Sequence, residues 1–215
     1  ALGDFINLEW QSFDSPYDAF LTSGKPLDPA SERGRQLFFG EAGCSNCHNG
    51  PLLSDQKFYA LGLPAFGPGR ARRWDPTARD VGRMGESDDL GDAYRFKTPR
   101  LRNIALTGPY GHNGAYPTLE GILRHHLDPQ GMRAAWTRDM AALPPVPWLE
   151  EIDFVIQSDR YEMARQAAKI DIEPRSLTDN QIADIVKFLH SLTGKTATKS
   201  RLGSPEFVPS GLPVD

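Results

Sequence analysis

Cys44, Cys47 and His48 stand in the order Cys44-Ser45-Asn46-Cys47-His48. Two thiols three residues apart, with an imidazole directly after the second, form the C-x-x-C-H pattern that attaches a c-type haem. The thiols add across the two vinyl groups of the porphyrin. The adjacent imidazole is thereby delivered to the iron as its proximal ligand. The chain contains two cysteines, and both are in this stretch. A structural zinc site wants four ligands, usually in two pairs, and a second pair is lacking. A thioredoxin-like redox pair would have no use for the histidine and would sit in a βαβ pattern, which is not read here. A plain disulfide is the bland alternative. The reading is one covalent haem c at Cys44 and Cys47, with His48 on the iron.

The opposite axial position points to a helix. Thr118 is placed to cap a helix over Leu119–Leu127, and Asp128-Pro129 ends it. At 100° per residue, Leu119, Ile122, Leu123, His126 and Leu127 share one face. His126 falls near the middle of that apolar stripe, and His125 on its flank, nearer the polar side. A histidine inside an apolar face is usually a satisfied core residue, but an iron in need of a ligand favours His126. His125, a methionine or an open position are the alternatives. Met84, Met132, Met140 and Met163 are the thioethers available, with Met132 nearest in sequence.

Other elements must position these groups. Residues 1–24 begin with a helical stripe of Leu2, Phe5, Ile6, Leu8 and Trp10, read as the tail of an amphipathic helix. Ser15-Pro16 and Ser23-Gly24-Lys25-Pro26 mark turns. Residues 25–194 form the haem domain. Asp28 caps a helix with Pro29 in its first turn, and Gly34 on its buried side allows a close helix crossing. The loop Asn49–Asp55 is placed to line one haem edge. Residues 60–93 read as irregular, and Arg70, Arg72 and Arg73, beside Trp74, either neutralise haem propionates or belong to a solvated loop. A short helix is expected over Leu101–Leu106. Residues 128–150 read as an irregular connection ending in Pro144-Pro145-Val146-Pro147-Trp148, and Ser158 as the cap of a helix through Lys169. The last helix starts at a capping box, with Thr178 at the cap and Gln181 three later. It buries Ile182, Ile185, Val186 and Leu189, leaves His190 at the surface and stops at Gly194. Residues 195–215 form an extended tail. The fold class is mainly α: a cytochrome c-like helical domain around one covalent haem, with long irregular loops.

Bulk properties narrow the setting. The chain has 215 residues and a net charge of -4, with mean hydropathy -0.47 and pI about 5.8. That balance argues against nucleic acid as a partner and suits a basic redox protein. No apolar run reaches the roughly 18 residues that a membrane span needs. Haem c is assembled outside the cytoplasm, so a periplasmic location is expected. No leader is read at the start; it was removed, or the chain is part of a longer precursor.

Longer blocks add a resemblance. Gly43-Cys44-Ser45-Asn46-Cys47-His48-Asn49-Gly50-Pro51, Phe96-Lys97-Thr98-Pro99-Arg100-Leu101-Arg102-Asn103 and Thr107-Gly108-Pro109-Tyr110-Gly111-His112-Asn113-Gly114 stand out. With Thr118-Leu119-Glu120 and Val186–Thr193, they resemble the C-terminal haem domain of the bacterial di-haem cytochrome c peroxidase and MauG family. The resemblance runs from about Ser15 to Thr193. It implies that the peroxide-reacting haem lies in an N-terminal domain outside this chain, that this haem relays electrons, and that residues 1–24 resemble the segment joining the two domains.

The peroxidases carry a methionine fourteen residues past the histidine of P-Y-x-H-x-G. Counted from His112, that position is His126, and the MauG branch uses a tyrosine from this domain instead. Bis-histidine ligation by His48 and His126 is thus implied. The resemblance also implies a calcium between domains, with backbone carbonyls matching Thr107 and Pro109. Lys97, Arg100 and Arg102 are candidates to hold a propionate. Three functions follow: the relay domain of a di-haem enzyme, a mono-haem electron carrier, or a peroxidase with an open iron and His112 as acid/base.

Overall fold

The computed structural model describes residues 2–9, 12–67, 79–142, 146–198 and 208–211. Its α-helices are α1 (Leu2–Glu9), α2 (Pro16–Ser23), α3 (Pro29–Phe39), α4 (Met84–Ser87), α5 (Leu119–Leu127), α6 (Pro129–Ala135), α7 (Glu150–Asp153), α8 (Arg160–Ala167) and α9 (Asp179–His190). Two short strands, β1 (Phe58–Tyr59) and β2 (Phe96–Lys97), pair antiparallel with Phe58 opposite Lys97. The fold is the mainly helical one the sequence implies.

The frame of the domain is the crossing of α3 and α9. Asp28 caps α3 by accepting from the Ala30 and Ser31 amides, and Thr178 and Gln181 cap α9 reciprocally. Gly34 lies directly on the α9 backbone: a Cβ there would collide with the carbonyl of Asp184. Only glycine permits that approach. Around the crossing, Phe38 and Phe188 have ring centres 5.2 Å apart, and Tyr17 meets Phe188 edge-on at 5.3 Å. Arg33 makes two 2.7 Å bonds to Asp184.

Several boundaries differ from the sequence reading. Ser15 starts a helix rather than a turn: Ser15 and Asp18 form a capping box and Pro16 opens α2. Tyr17 of α2 is buried in the α3/α9 core, and its amide donates to Ser191 O at 3.1 Å. Residues 15–23 are therefore built into the domain, while Leu2, Phe5 and Ile6 of α1 are exposed. Asp128 both closes α5 and caps α6 through the Gly131 amide, so the stretch read as irregular begins with a helix. Asp159, not Ser158, caps α8. The expected helix over Leu101–Leu106 is one 3-10 turn, Ile104–Leu106. Residues 60–93 include α4. The end of α9 is at His190, and Gly194 lies instead against Ser12 and Asp14. The tail starts with a turn anchored by the Thr196 amide on Asp14. Trp10, Arg70, Arg72, Arg73, Trp74, Pro144 and Pro145 lie outside the described residues.

A second apolar cluster joins Leu63, Phe66, Ala115, Tyr116 and Trp136, with Phe66 stacked on Trp136 at 5.3 Å. Among the described residues, no helix is long and apolar enough to cross a membrane.

Candidate functional site

The segment after α3 turns sharply at Gly43, whose φ of 66° is left-handed. Cys44–Asn46 then forms a 3-10 turn, and the His48 amide returns to Cys44 O at 2.9 Å. The turn puts Cys44, Cys47 and His48 on the wall of one cavity of about 650 Å³. That size is in the range of small-molecule and cofactor sites. The thiols are not joined in a disulfide. Burial pushes Cys44 up to about 11 and raises Cys47 as well. A redox-active pair needs the opposite, a lowered thiol pKa.

Across the cavity stands α5. Leu119, Ile122, Leu123, His126 and Leu127 all line the cavity, so the face drawn from helical periodicity is the face turned to it. His48 and His126 have ring centres 6.5 Å apart. An imidazole nitrogen binds a metal at about 2 Å and lies roughly 1 Å from its ring centre. Two rings on opposite sides of one metal therefore have centres about 6–6.5 Å apart. His48 Nδ1 is bonded to Leu53 O at 3.0 Å, and His126 Nδ1 to Ile122 O at 2.8 Å. A carbonyl only accepts, so Nδ1 carries the proton in both rings and the Nε2 lone pair is left for a metal. This is the arrangement by which outer hydrogen bonds fix the tautomer and raise the basicity of a histidine ligand. Burial, reinforced by His126, pushes His48 down to about 4, and burial lowers His126 too. Both rings are neutral at pH 7, the state that binds iron.

The remaining candidates separate by position. His125 is completely buried rather than flanking the polar side. Tyr116 Oη lies 2.9 Å from its Nδ1 and Leu61 O 2.8 Å from its Nε2, so both nitrogens are occupied. Met132 packs on the second apolar cluster, away from the cavity. Met84 is buried with Val81 and Tyr94, Met163 contacts Arg133, and Met140 is exposed. Among the described methionines none lines the cavity. Lys97 reaches the cavity wall, whereas Arg100 is exposed and away from it. Arg102 is bound to Asp18 at 2.6 Å and to Pro51 O at 2.8 Å, so it is spoken for elsewhere. His112 lines the cavity, stacked on Phe96 at 3.5 Å, with Nε2 3.5 Å from Asp80. Thr107 and Pro109 line it as well.

Sequence reasoning missed three contributors. The 49–55 loop does not line the cavity; it supplies the Leu53 carbonyl that holds His48. Tyr59 and Arg175 also line the wall. Tyr59 is signalled only weakly by strand alternation, and Arg175 sits in an unpatterned stretch.

These features test the fit of a haem. The cavity is walled by apolar side chains, including Phe38, Leu101, Ile185 and Leu189. Both thiols line it, and the His48 and His126 ring centres stand 6.5 Å apart, a spacing that admits one metal between them. Among the described residues, no cluster of three or more His, Cys, Asp or Glu is arranged for a bare metal ion. The donor set suits a porphyrin.

No protein-family model matches the chain. A cytochrome-c peroxidase of Denitromonas iodatirespirans is 33% identical over 161 residues, covering 59% of this chain and 43% of that protein. The cytochrome c peroxidase of Escherichia coli K12 is 30% identical over 184 residues, 84% of this chain and 29% of that protein. The methylamine utilization protein MauG of Methylorubrum extorquens is 32% identical over 118 residues, 54% of this chain and 30% of that protein. The matched region is thus less than half the length of these curated relatives. Among solved structures, a MauG-like protein associated with microbial copper homeostasis superposes with a TM-score of 0.63 at 28% identity, over 88% of this chain and 55% of that one. The diheme peroxidase BthA of Burkholderia thailandensis shares the fold, with a TM-score of 0.62 at 24% identity over 86% of this chain and 47% of that one. The motif blocks, the helical fold and these likenesses agree: over most of its length the chain is similar to part of the bacterial di-haem cytochrome c peroxidase and MauG proteins.

Proposed function

We propose that this chain is the electron-relay haem domain of a di-haem peroxidase or MauG-like oxidoreductase, with His48 and His126 as the axial ligands of one haem c. The observation that carries the reading is the facing pair of imidazoles, 6.5 Å between centres, each with Nδ1 tied to a carbonyl. When bound, haem c supplies one-electron Fe(III)/Fe(II) chemistry. Cys44 and Cys47 would hold the porphyrin covalently, and the apolar side chains of α3, α5 and α9 that line the cavity would exclude water from it. His48 and His126 would be the residues that hold its iron, and with both engaged no position would be left for peroxide. Two imidazoles favour the ferric state more than a His/Met pair does, so the potential is lower than that of a His/Met relay.

Peroxide chemistry then belongs to an N-terminal haem domain outside this chain. The segment 1–24 leads from it, with α2 already packed on the relay domain; residues 25–194 form the rest of that domain and residues 195–215 its tail. The carbonyls of Thr107 and Pro109 are the share of a calcium site that this chain would supply. The setting is periplasmic, with a redox protein as electron partner.

The test is intact mass and a haem count on the full gene product. Two haems in a polypeptide well above 23.8 kDa, with peroxide turnover, support the relay reading. One haem and no reaction with peroxide overturn it in favour of a mono-haem electron carrier, the reading that the single C-x-x-C-H motif favours.

A further inference from the structure

Arg102 sits where three segments meet. Its Nη1 pairs with Asp18 at 2.6 Å, its Nε donates to Pro51 O at 2.8 Å, and its guanidinium lies 5.4 Å from the centre of the Phe13 ring. Pro51 belongs to the loop between His48 and β1. One residue on, Leu52 O accepts from the Leu101 amide at 3.3 Å. One residue further, Leu53 is held at φ 51° and turns its carbonyl onto His48 Nδ1. A left-handed leucine is disfavoured because its Cβ crowds the following carbonyl, and such a conformation persists only where its surroundings enforce it. The neighbouring bonds from Leu101 and Arg102 supply part of that enforcement, together with the buried Leu53 side chain.

We infer that Arg102 is a positioning residue for His48. By gripping the Pro51 carbonyl it fixes the loop that aims Leu53 O at the ring, and so sets how strongly His48 donates to iron. The inference rests on the reading of His48 as an axial ligand. A firm Nδ1–H···O=C bond makes imidazole a stronger donor and favours ferric iron. Loosening the loop weakens the donor and moves the haem potential upward. Simple removal of a cation acts in the opposite sense: it withdraws a charge that disfavours the ferric state and moves the potential downward. The sign separates the two effects.

The experiment compares haem-loaded full-length protein with its Arg102→Lys and Arg102→Gln variants. The potential of the low-spin haem is measured, together with solvent exchange of the His48 Nδ1 proton by NMR. The lysine variant keeps the charge and the pairing with Asp18 but loses the planar fork that reaches Pro51. The expected result is a higher potential in both variants and faster exchange of that proton. Arg33→Gln, which breaks an exposed pair to Asp184, leaves both unchanged. An unchanged potential in Arg102→Lys, or a fall in Arg102→Gln alone, overturns the inference. Should the glutamine variant not fold, the lysine variant decides. His48→Gly judges the parent reading separately: if the six-coordinate, two-imidazole spectrum survives that substitution unchanged, His48 is not a ligand and the failure lies there.

Discussion

His126 reaches the cavity from a helix and His48 from a loop, yet both rings are tied at Nδ1 to a carbonyl. On the helix side the acceptor is Ile122 O, one turn back, so the geometry that makes α5 also orients the ring. On the loop side the acceptor is Leu53 O, which is in place only because Leu53 is left-handed, its side chain is 3% exposed, and Pro51 and Leu52 are held by Arg102 and Leu101. One wall is local and repetitive, the other is assembled from distant parts. The helix wall should tolerate perturbation at its ends, and the loop wall should fail when any support is withdrawn.

The sharpest way to break this picture is to remove a ligand. His126→Leu should convert the low-spin haem to a high-spin, five-coordinate form that binds cyanide. His126→Met should stay six-coordinate with a higher potential. An unchanged absorption spectrum in either variant would mean that the helix wall does not serve the iron.

Next in size is Leu53→Ala. Truncating a buried leucine costs about 2–5 kcal/mol, and here it should also loosen the His48 ring. Urea unfolding reads the first effect and the haem potential the second; a stability loss with an unmoved potential would uncouple the loop wall from the ring.

Smaller again is Asp18→Asn. Burial opposes ionisation of Asp18, but bonds from Ser15 and Arg102 outweigh it and hold the carboxyl below its ordinary value. The folded pKa is depressed, so the stabilisation is complete above the unfolded value near 3.8 and fades as pH falls through the folded one. The substitution should cost about 1.5–3 kcal/mol at pH 7, as expected for a charged hydrogen bond, and much less near pH 2. Denaturation of both proteins at the two pH values measures it; an equal cost at both would assign the effect to packing.

The smallest effect belongs to Thr118→Ala. Losing the Thr118 bond to the Gly121 amide removes a cap worth about 1 kcal/mol. The potential should not move, because the Ile122–His126 turn is interior to α5.

What was legible in the sequence follows the same division. Thr118, Asp128 and the stripe ending at Leu127 define α5 locally, so the helix, its cavity-facing side and the place of His126 could be read from periodicity. The C-x-x-C-H turn carries its own signature. Thr178 with Gln181, Asp28 with Pro29 and the close approach at Gly34 were readable for the same reason. The loop role of residues 49–55 was not, because a backbone carbonyl at a left-handed leucine leaves no mark in residue types. Arg102 stands among three candidate propionate contacts because sequence gives its charge and not its neighbour Asp18, 84 residues away. Asp128 was read as a stop alone, although Asp-Pro is equally a helix start. Placing His125 on the polar flank failed because the second cluster, with Tyr116 and Leu61, covers that side of α5 as well.

The Gly34 crossing has a consequence for the order in which the protein is made. Arg33 of α3 meets Asp184 of α9 across 151 residues of chain, and contacts of such long sequence separation form late. As the chain is synthesised from its N-terminus, the Cys44–His48 segment emerges long before the helix that completes its support. Until α9 docks on Gly34, the cavity lacks the wall that Ile185 and Leu189 supply, so the site is completed by the last helix to be made.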